Sequence, residues 1–226
     1  MLSSKSILNQ KILIVLLVIF GLYIGQSYFL KKSYGKVIIL NGPSGSGKSS
    51  IQKAFQKLMM PNLWVKVGID NLFDMVMPDI TSENMLFWQS KNDIRWVEST
   101  VDEQGHSIVT LFVGEQGSKV AYAMNSAIAA YAKSGCNVIV DYIMYDKDWM
   151  TDLQSKLRSI ETCYVKVAIP LLTLEEREAN RGTSPKGHAR SHYATVYGNI
   201  KYDLEVDSGK QTPEQIATII TQYIKK

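Results

Sequence analysis

Residues Gly42 to Ser49 read GPSGSGKS, and the apolar run VIIL at residues 37–40 comes directly before them. The octapeptide fits the pattern G-x-x-x-x-G-K-[ST], and a stretch with helical propensity, from Ser50 to about Leu58, follows it. A strand, a glycine-rich turn and a helix in this order are the setting of a phosphate-binding P-loop. The stretch therefore predicts a nucleotide-binding domain, and the alternative is a chance match in a Gly/Ser-rich turn.

Each part of this motif has a physical role. We expect Gly42, Gly45 and Gly47 to let the backbone turn successive N–H groups towards a phosphate, at the positive end of the next helix dipole. Lys48 would place its charge on the β- and γ-phosphates of ATP, and the Ser49 hydroxyl would bind Mg²⁺. The residues predicted to contact the nucleotide are Gly42, Ser44, Gly45, Ser46, Gly47, Lys48, Ser49 and Ser50.

The net charge of +4 is unevenly distributed along the 226 residues, a length that fits one domain with an appendage. Residues 1–36 contain five lysines and no acidic residue, which leaves 20 basic and 21 acidic residues in the rest of the chain. The basic excess thus belongs to the N-terminal segment. This distribution argues against nucleic acid as a partner and favours a membrane surface.

A stretch without charged side chains, residues 12–30, follows a short tail at residues 1–11. About 19 apolar residues are what a helix needs to span a bilayer. We predict a single transmembrane anchor, and the alternative is a secretory signal peptide with a weak cleavage site at Gly25 and Ser27. Lysines flank both ends of the stretch, so charge does not fix its orientation. The need for nucleotide places the domain at residues 36–226 in the cytoplasm.

From Lys36 onward, predicted strands alternate with predicted helices. The strands lie near residues 37–40, 63–69, 138–141, 163–169 and 202–206, and the helices near residues 49–58, 119–133, 147–159, 174–180 and 213–224. This alternation predicts a three-layer α/β fold, in which helices cover both faces of a parallel five-stranded sheet. Residues 84–113 interrupt it with two β-rich runs, which indicate a hairpin insertion. The hairpin is either the wall of a substrate cleft or a surface hairpin with a small apolar face.

Two aspartates follow predicted strands at the sheet edge that carries the P-loop. Asp70 would orient a hydroxyl group or accept its proton during phosphoryl transfer, and the alternative role is to cap the next helix. Asp141 ends the run VIVD and resembles a Walker B aspartate. With Ser49 it would bind Mg²⁺.

A basic segment follows the fourth predicted strand of the sheet. Its basic side chains are Arg177, Arg181, Lys186 and Arg190. We predict that residues 177–195 form a lid in which Arg177 and Arg181 neutralise charge on the transferred phosphoryl group. A solvated helix face is the alternative.

The cysteines and histidines show no metal-ligand spacing. We interpret the two cysteines as reduced core thiols and the three histidines as surface or lid residues. These residues are Cys136, Cys163, His106, His188 and His192.

Several motifs in this order together resemble the chloramphenicol phosphotransferase family. They are the P-loop, GIDNLFDMVMP at residues 68–78, VIVD at 138–141, EREANRG at 176–182 and YDLEVDSGKQTPEQIA at 202–217. The resemblance implies a nucleoside-kinase-like fold and the transfer of phosphate from ATP, with Mg²⁺, to a hydroxyl group of an antibiotic. It implies that Asp70 accepts the proton, that Lys48 and Ser49 serve the P-loop, and that Arg177 and Arg181 are lid arginines.

The chain departs from the family pattern in two places. Tyr142 follows the Walker B aspartate where the family often has a second acid, and residues 183 and 184 are Thr-Ser where the family has Asp-Arg. Lys186 or Arg190 would then supply the missing charge. We predict an ATP- and Mg²⁺-dependent phosphotransferase acting on a small-molecule hydroxyl group. The alternative is a membrane-anchored nucleotide-binding module without small-molecule kinase activity.

Overall fold

Seven strands and seven helices make up the part of the chain that the computed structural model describes, residues 33–69, 77–182 and 184–225. The strands are β1 (Val37–Asn41), β2 (Trp64–Gly68), β3 (Arg95–Val101), β4 (Ser107–Val113), β5 (Asn137–Tyr142), β6 (Thr162–Ala168) and β7 (Leu204–Asp207). The helices are α1 (Lys48–Met59), α2 (Met85–Trp88), α3 (Glu115–Lys133), α4 (Lys147–Leu157), α5 (Leu171–Arg181), α6 (His188–Tyr193) and α7 (Pro213–Ile224).

Five parallel strands form the central sheet in the order β2-β5-β1-β6-β7. The strand that leads into the P-loop is therefore the middle strand, with β5 and β6 as its neighbours. Parallel strands need crossover connections, and helices supply most of these connections here. The predicted parallel five-stranded sheet is confirmed.

Alternate residues of β1 enter two separate hydrophobic cores. Val37 and Ile39 pack in the core formed with α3 and α4, whereas Ile38 and Leu40 pack in the core formed with α1 and α7. All four side chains are fully buried, which explains why β1 is a continuous apolar run. Helices thus cover both faces of the sheet, and the three-layer fold is confirmed.

Every predicted helix is present, with ends that differ from the prediction by no more than four residues. The largest difference is at α3, which begins at Glu115 and carries Gly117 in its first turn. A Cβ atom added to Gly117 would lie 2.2 Å from the carbonyl oxygen of Ile94, so close packing rather than helix propensity selects glycine here. The short helices α2 and α6 were not predicted, because four and six residues are too few for a periodic apolar pattern.

The insertion contains an antiparallel hairpin that forms its own two-stranded sheet. Arg95 on β3 pairs with Val113 on β4, and the pairing continues without interruption to Val101 and Ser107 beside the turn. The amide N–H of Val109 donates a hydrogen bond to the carbonyl oxygen of Gly187 at 3.2 Å. The hairpin is thereby attached to the residue that precedes α6.

Two predictions fall on residues outside the described ranges. These are the transmembrane anchor at residues 12–30 and the role of Asp70. Within the described ranges, no helix combines the length and the apolar character needed to span a bilayer.

The three histidines were interpreted as surface or lid residues, and two of them lie in the predicted lid segment but are buried. His106 is exposed, but His188 and His192 are buried, because α6 packs against β4. The two cysteines are free thiols, with Cys163 buried and Cys136 half-buried. Across the residues that the structure describes, no group of three or more His, Cys, Asp or Glu side chains could hold a metal ion.

Candidate active site at the P-loop

The glycines of the P-loop serve two different purposes. Gly45 and Gly47 have φ values of 83° and 87°, the left-handed region in which a side chain is strained. The φ value of Gly42 is not in that region, but an added Cβ atom would lie 2.7 Å from the carbonyl oxygen of Val167. Gly42 is therefore needed for close contact with β6, whereas Gly45 and Gly47 shape the loop itself.

Lys48 is held at the base of the loop and is almost fully buried. Its Nζ donates hydrogen bonds to the carbonyl oxygens of Gly42 and Pro43, each at 2.9 Å. The same nitrogen lies 3.4 Å from Oδ1 of Asp141. These contacts fix the ammonium group between the loop and the end of β5.

Ser49 and Asp141 meet at the carboxyl edge of the sheet. The Ser49 hydroxyl donates a hydrogen bond of 2.6 Å to Oδ2 of Asp141. A hydroxyl and a carboxylate oxygen side by side are the oxygen ligands that Mg²⁺ takes beside phosphate oxygens and water. The donor set therefore fits a magnesium ion that is bound together with a nucleotide.

Tyr142 points away from this edge. It is fully buried among core residues, its hydroxyl donates to Oδ1 of Asn125 at 3.3 Å, and burial raises the pKa of the phenol. Successive side chains of a strand face opposite sides, so the residue after Asp141 enters the core between β5 and α3. Tyr142 is therefore no substitute for a second acid in the site.

A cavity of about 770 Å³ lies over the loop and is called here the P-loop cavity. Its lining includes Ser44, Gly45, Ser46, Gly47, Lys48, Ser49, Ser50, Asp141, Asn180, Ser208 and Gln211, together with the predicted lid residues Arg177 and Arg181. Gly42 lies behind the loop, in contact with β6. The cavity thus brings together the predicted nucleotide contacts other than Gly42, the predicted magnesium ligands and both arginines of α5.

The two arginines differ in how firmly they are held. Nη2 of Arg177 donates a hydrogen bond of 2.7 Å to the carbonyl oxygen of Ser208. Arg181, at the end of α5, is exposed. Arg177 is thus fixed beside the loop, whereas Arg181 is exposed and lines the cavity.

A second cavity, of about 800 Å³, lies between the hairpin and the sheet and is called here the hairpin cavity. Its lining includes Ile69, Met85, Trp88, Arg95, Trp96, Val97, Val109, Leu111, Val113, Met124, Tyr145, Trp149 and His188. Ser44 and Arg181 line both cavities. The P-loop cavity and the hairpin cavity therefore adjoin at these two residues.

The buried histidines of α6 connect the two cavities. Nε2 of His192 accepts a hydrogen bond of 3.2 Å from the backbone N–H of Ser44. His188 contacts the Tyr145 hydroxyl at 3.2 Å, on the side of the hairpin cavity. Burial, then the neighbouring charges of His188 and Lys48, lower the pKa of His192 to about 3. The imidazole is neutral at physiological pH, as an acceptor for the Ser44 amide must be.

Acidic side chains hold α6 against α5. The buried Glu178 carboxylate accepts hydrogen bonds from the N–H groups of Gly187 and Ala189, at 2.8 and 2.7 Å. Arg190 is paired with Glu175 at 2.6 Å and with Asp102 of the hairpin at 3.1 Å. Residues 184–193 are thereby joined to both α5 and the hairpin.

Arg190 and Lys186 are the two residues expected to supply the charge of the missing lid arginine. Arg190 is occupied by its two acidic partners, and Lys186 is exposed. Neither residue is among the described residues that line the P-loop cavity or the hairpin cavity.

Comparison with known proteins gives consistent results. The family described as chloramphenicol phosphotransferase-like protein matches residues 35–225. A Mycobacterium tuberculosis H37Rv protein named "Putative O-phosphotransferase" is 30% identical over 186 residues, 81% of this chain and 79% of the relative. The M. tuberculosis APS kinase CysC, solved with AMPPNP and APS, is similar with a TM-score of 0.56, 18% identity and coverage of 85% and 99%. A sugar kinase from Janibacter sp. has a TM-score of 0.53, 14% identity and coverage of 85% and 95%.

Proposed function

This chain belongs to the chloramphenicol phosphotransferase-like family of kinase-like phosphotransferases, and we propose that it transfers the γ-phosphate of ATP, with Mg²⁺, to a hydroxyl group of a small molecule. The observation that carries the proposal is that the P-loop cavity and the largely apolar hairpin cavity adjoin at Ser44 and Arg181. Such an arrangement suits the transfer of a group from one ligand to another, because both ligands must be held with their reacting atoms in contact.

On the nucleotide side, the loop amides and Lys48 would bind the phosphates. The carbonyl oxygens of Gly42 and Pro43 hold the Lys48 ammonium group at the base of the loop, so its charge is in place before phosphate binds. Ser49 and Asp141 would hold Mg²⁺, which supplies positive charge to the phosphate oxygens.

On the acceptor side, the hairpin cavity would hold the alcohol with its hydroxyl group at the junction. Arg181 would neutralise charge on the transferred group, and Arg177 would bind the nucleotide phosphates from beside the loop. We assign to Asp70, which follows Ile69 of the cavity wall in sequence, the orientation of the acceptor hydroxyl and the acceptance of its proton.

The test is transfer of label from ATP. Residues 33–226, which contain the compact unit beginning at Tyr34, are incubated with γ-labelled ATP, Mg²⁺, chloramphenicol and a panel of other alcohols. We expect a labelled alcohol whose formation falls by a factor of about 100 or more in Asp70→Asn, because general base catalysis contributes that much. ATP binding by the variant should be unchanged.

The matched control is Asp79→Asn, which removes an exposed carboxylate. This variant should retain full activity. Unimpaired transfer by Asp70→Asn would remove Asp70 from the mechanism. ATP binding without any labelled alcohol would instead favour a nucleotide-binding module that does not phosphorylate small molecules.

A further inference from the structure

One face of the β3–β4 hairpin lines the hairpin cavity. Arg95 pairs with Val113 and Val97 pairs with Leu111 across the two strands, and all four residues line the cavity with Val109. Side chains two residues apart on a strand lie on the same face, so these five residues form one surface. Arg95 is the single polar member of this otherwise apolar surface.

The Arg95 guanidinium lies over a buried tryptophan. Its Cζ atom is 5.6 Å from the centre of the Trp88 ring, which also lines the cavity. Stacking on an aromatic face stabilises the cation and restricts its orientation, but it uses none of its five N–H donors. Throughout residues 33–69, 77–182 and 184–225, the structure has no hydrogen bond or ion pair to this guanidinium.

Among the described residues of the cavity lining, carboxylates are absent and the cations are the arginines Arg95 and Arg181. Arg181 also lines the P-loop cavity, so the proposed phosphoryl transfer accounts for it. Arg95 lines only the hairpin cavity. The apolar walls of this cavity strengthen the electrostatic field of the guanidinium.

We propose that Arg95 binds a carboxylate of the acceptor, so that the hairpin cavity selects an alcohol with an apolar body and an acidic group. This inference rests on the proposed function, in which the hairpin cavity holds the acceptor. A planar guanidinium matches a carboxylate with two parallel hydrogen bonds, and the surrounding tryptophans and valines match an apolar body. Arg95 is then a residue that determines specificity at a distance from the transferred phosphate.

The experiment measures binding without ATP, by calorimetry on the full chain. The probes are hydroxy acids with an aromatic body, such as 4-(hydroxymethyl)benzoate, each compared with its primary amide. We expect the acids to bind at least about tenfold more tightly than their amides, because hydrogen bonds to charged groups contribute roughly that much. Arg95→Gln should abolish this preference, and Arg95→Lys, which keeps the charge without the planar fork, should retain part of it.

Arg158→Gln is the matched control, because Arg158 is exposed at the end of α4 and lines neither cavity. It should keep the full preference for the acids. Equal affinity of acid and amide, an unchanged preference in Arg95→Gln, or no binding of any acid would overturn the inference.

Transfer of phosphate is assayed separately, so the two proposals fail in different ways. Arg95-dependent binding of acids without phosphorylated product supports this inference and counts against the proposed function. Phosphorylation of neutral alcohols without a preference for acids supports the proposed function and overturns the inference.

Discussion

His192 places a neutral, buried imidazole against the phosphate-binding loop. Its Nε2 atom accepts a hydrogen bond from the Ser44 amide, and Ser44 lines both cavities. A protonated imidazole has no acceptor nitrogen, so protonation would break this bond and place a second cation near Lys48. The hydrogen bond that His192 accepts from Ser44 thus depends on the imidazole being neutral.

This dependence predicts a loss of stability in acid. The pKa of His192 falls from 6.5 to about 3 on folding, so the folded state binds fewer protons than the unfolded state between these values. The contribution of His192 is therefore complete above pH 6.5 and is lost as the pH falls towards 3. Between neutral pH and about pH 5, we expect the free energy of unfolding of the unaltered protein to fall by about 2 kcal/mol more than that of His192→Gln.

Urea unfolding at the two pH values checks this prediction. Glutamine keeps an acceptor oxygen but does not titrate in this range, so it isolates protonation from the loss of the hydrogen bond. His106→Gln is the comparison variant, because His106 is exposed on the hairpin turn and contacts Asp102 at 3.0 Å rather than the P-loop. Equal acid sensitivity of His192→Gln and the unaltered protein would contradict the prediction.

The P-loop also shows how far single residues could be predicted. The proximity of Ser49 to Asp141 was expected, because Ser49 follows β1, Asp141 lies near the end of β5, and these neighbouring parallel strands end at one edge of the sheet. The contact of His192 with Ser44 was not, because 148 residues separate the two and no local pattern marks a buried histidine in a basic segment. The conformational role predicted for Gly42 was wrong, because its φ value lies outside the left-handed region. The close contact with β6 that requires glycine there exists only in the folded chain.

At the level of elements, the junction between the hairpin and α6 joins the wall of the hairpin cavity to the predicted lid. Gly187 precedes α6 with a φ value of 94°, and an added Cβ atom would lie 2.2 Å from the carbonyl oxygen of Ser107 on β4. Gly105, in the hairpin turn, has a similar φ value of 81° but no atom near the corresponding position. The two glycines therefore share a left-handed backbone, which would strain any residue with a Cβ atom, and they differ in the contact that this atom would make.

Alanine substitutions at these two glycines test the junction. Each variant should lose about 1 to 2 kcal/mol of stability from the left-handed backbone, and Gly187→Ala should lose a further 1 to 3 kcal/mol or so because the added atom overlaps β4. Denaturant unfolding measures the difference. We also expect Gly187→Ala to raise KM for the acceptor more than KM for ATP, since it moves the hairpin. Equal losses of stability in the two variants would show that β4 and α6 move apart to accommodate the added atom without a cost in stability.

Strands and helices could be predicted from the sequence where their buried residues form a continuous or periodic apolar pattern. The five sheet strands and the long helices follow from runs of apolar residues, because each such run is buried on one or both sides. The short helix α6 is held by polar contacts from Glu178, which come from a neighbouring element rather than from its own sequence. Its pattern therefore carried no helical signal, and its buried histidines were assigned to the surface or the lid.

For the whole molecule, the distribution of charge separates the enzyme domain from the N-terminal segment. The five lysines of residues 1–36 account for the excess positive charge, and the remaining chain is close to neutral. A nearly neutral domain has little electrostatic attraction to a membrane of its own. Membrane association, where it occurs, must then come from the uncharged stretch at residues 12–30 and the lysines that flank it.

We therefore predict that the full chain sediments with membranes and that residues 33–226 remain in the supernatant with unchanged kcat and KM. The kinetic part follows because the P-loop cavity and the hairpin cavity, as described, are lined by residues of the compact unit that begins at Tyr34. Cell fractionation followed by extraction in carbonate and in detergent measures the first part, and mass spectrometry of the N-terminus distinguishes an anchor from a cleaved signal peptide. A full chain in the soluble fraction with its N-terminus intact would contradict the anchor. Membrane-bound residues 33–226 would instead place the membrane contact on the domain itself.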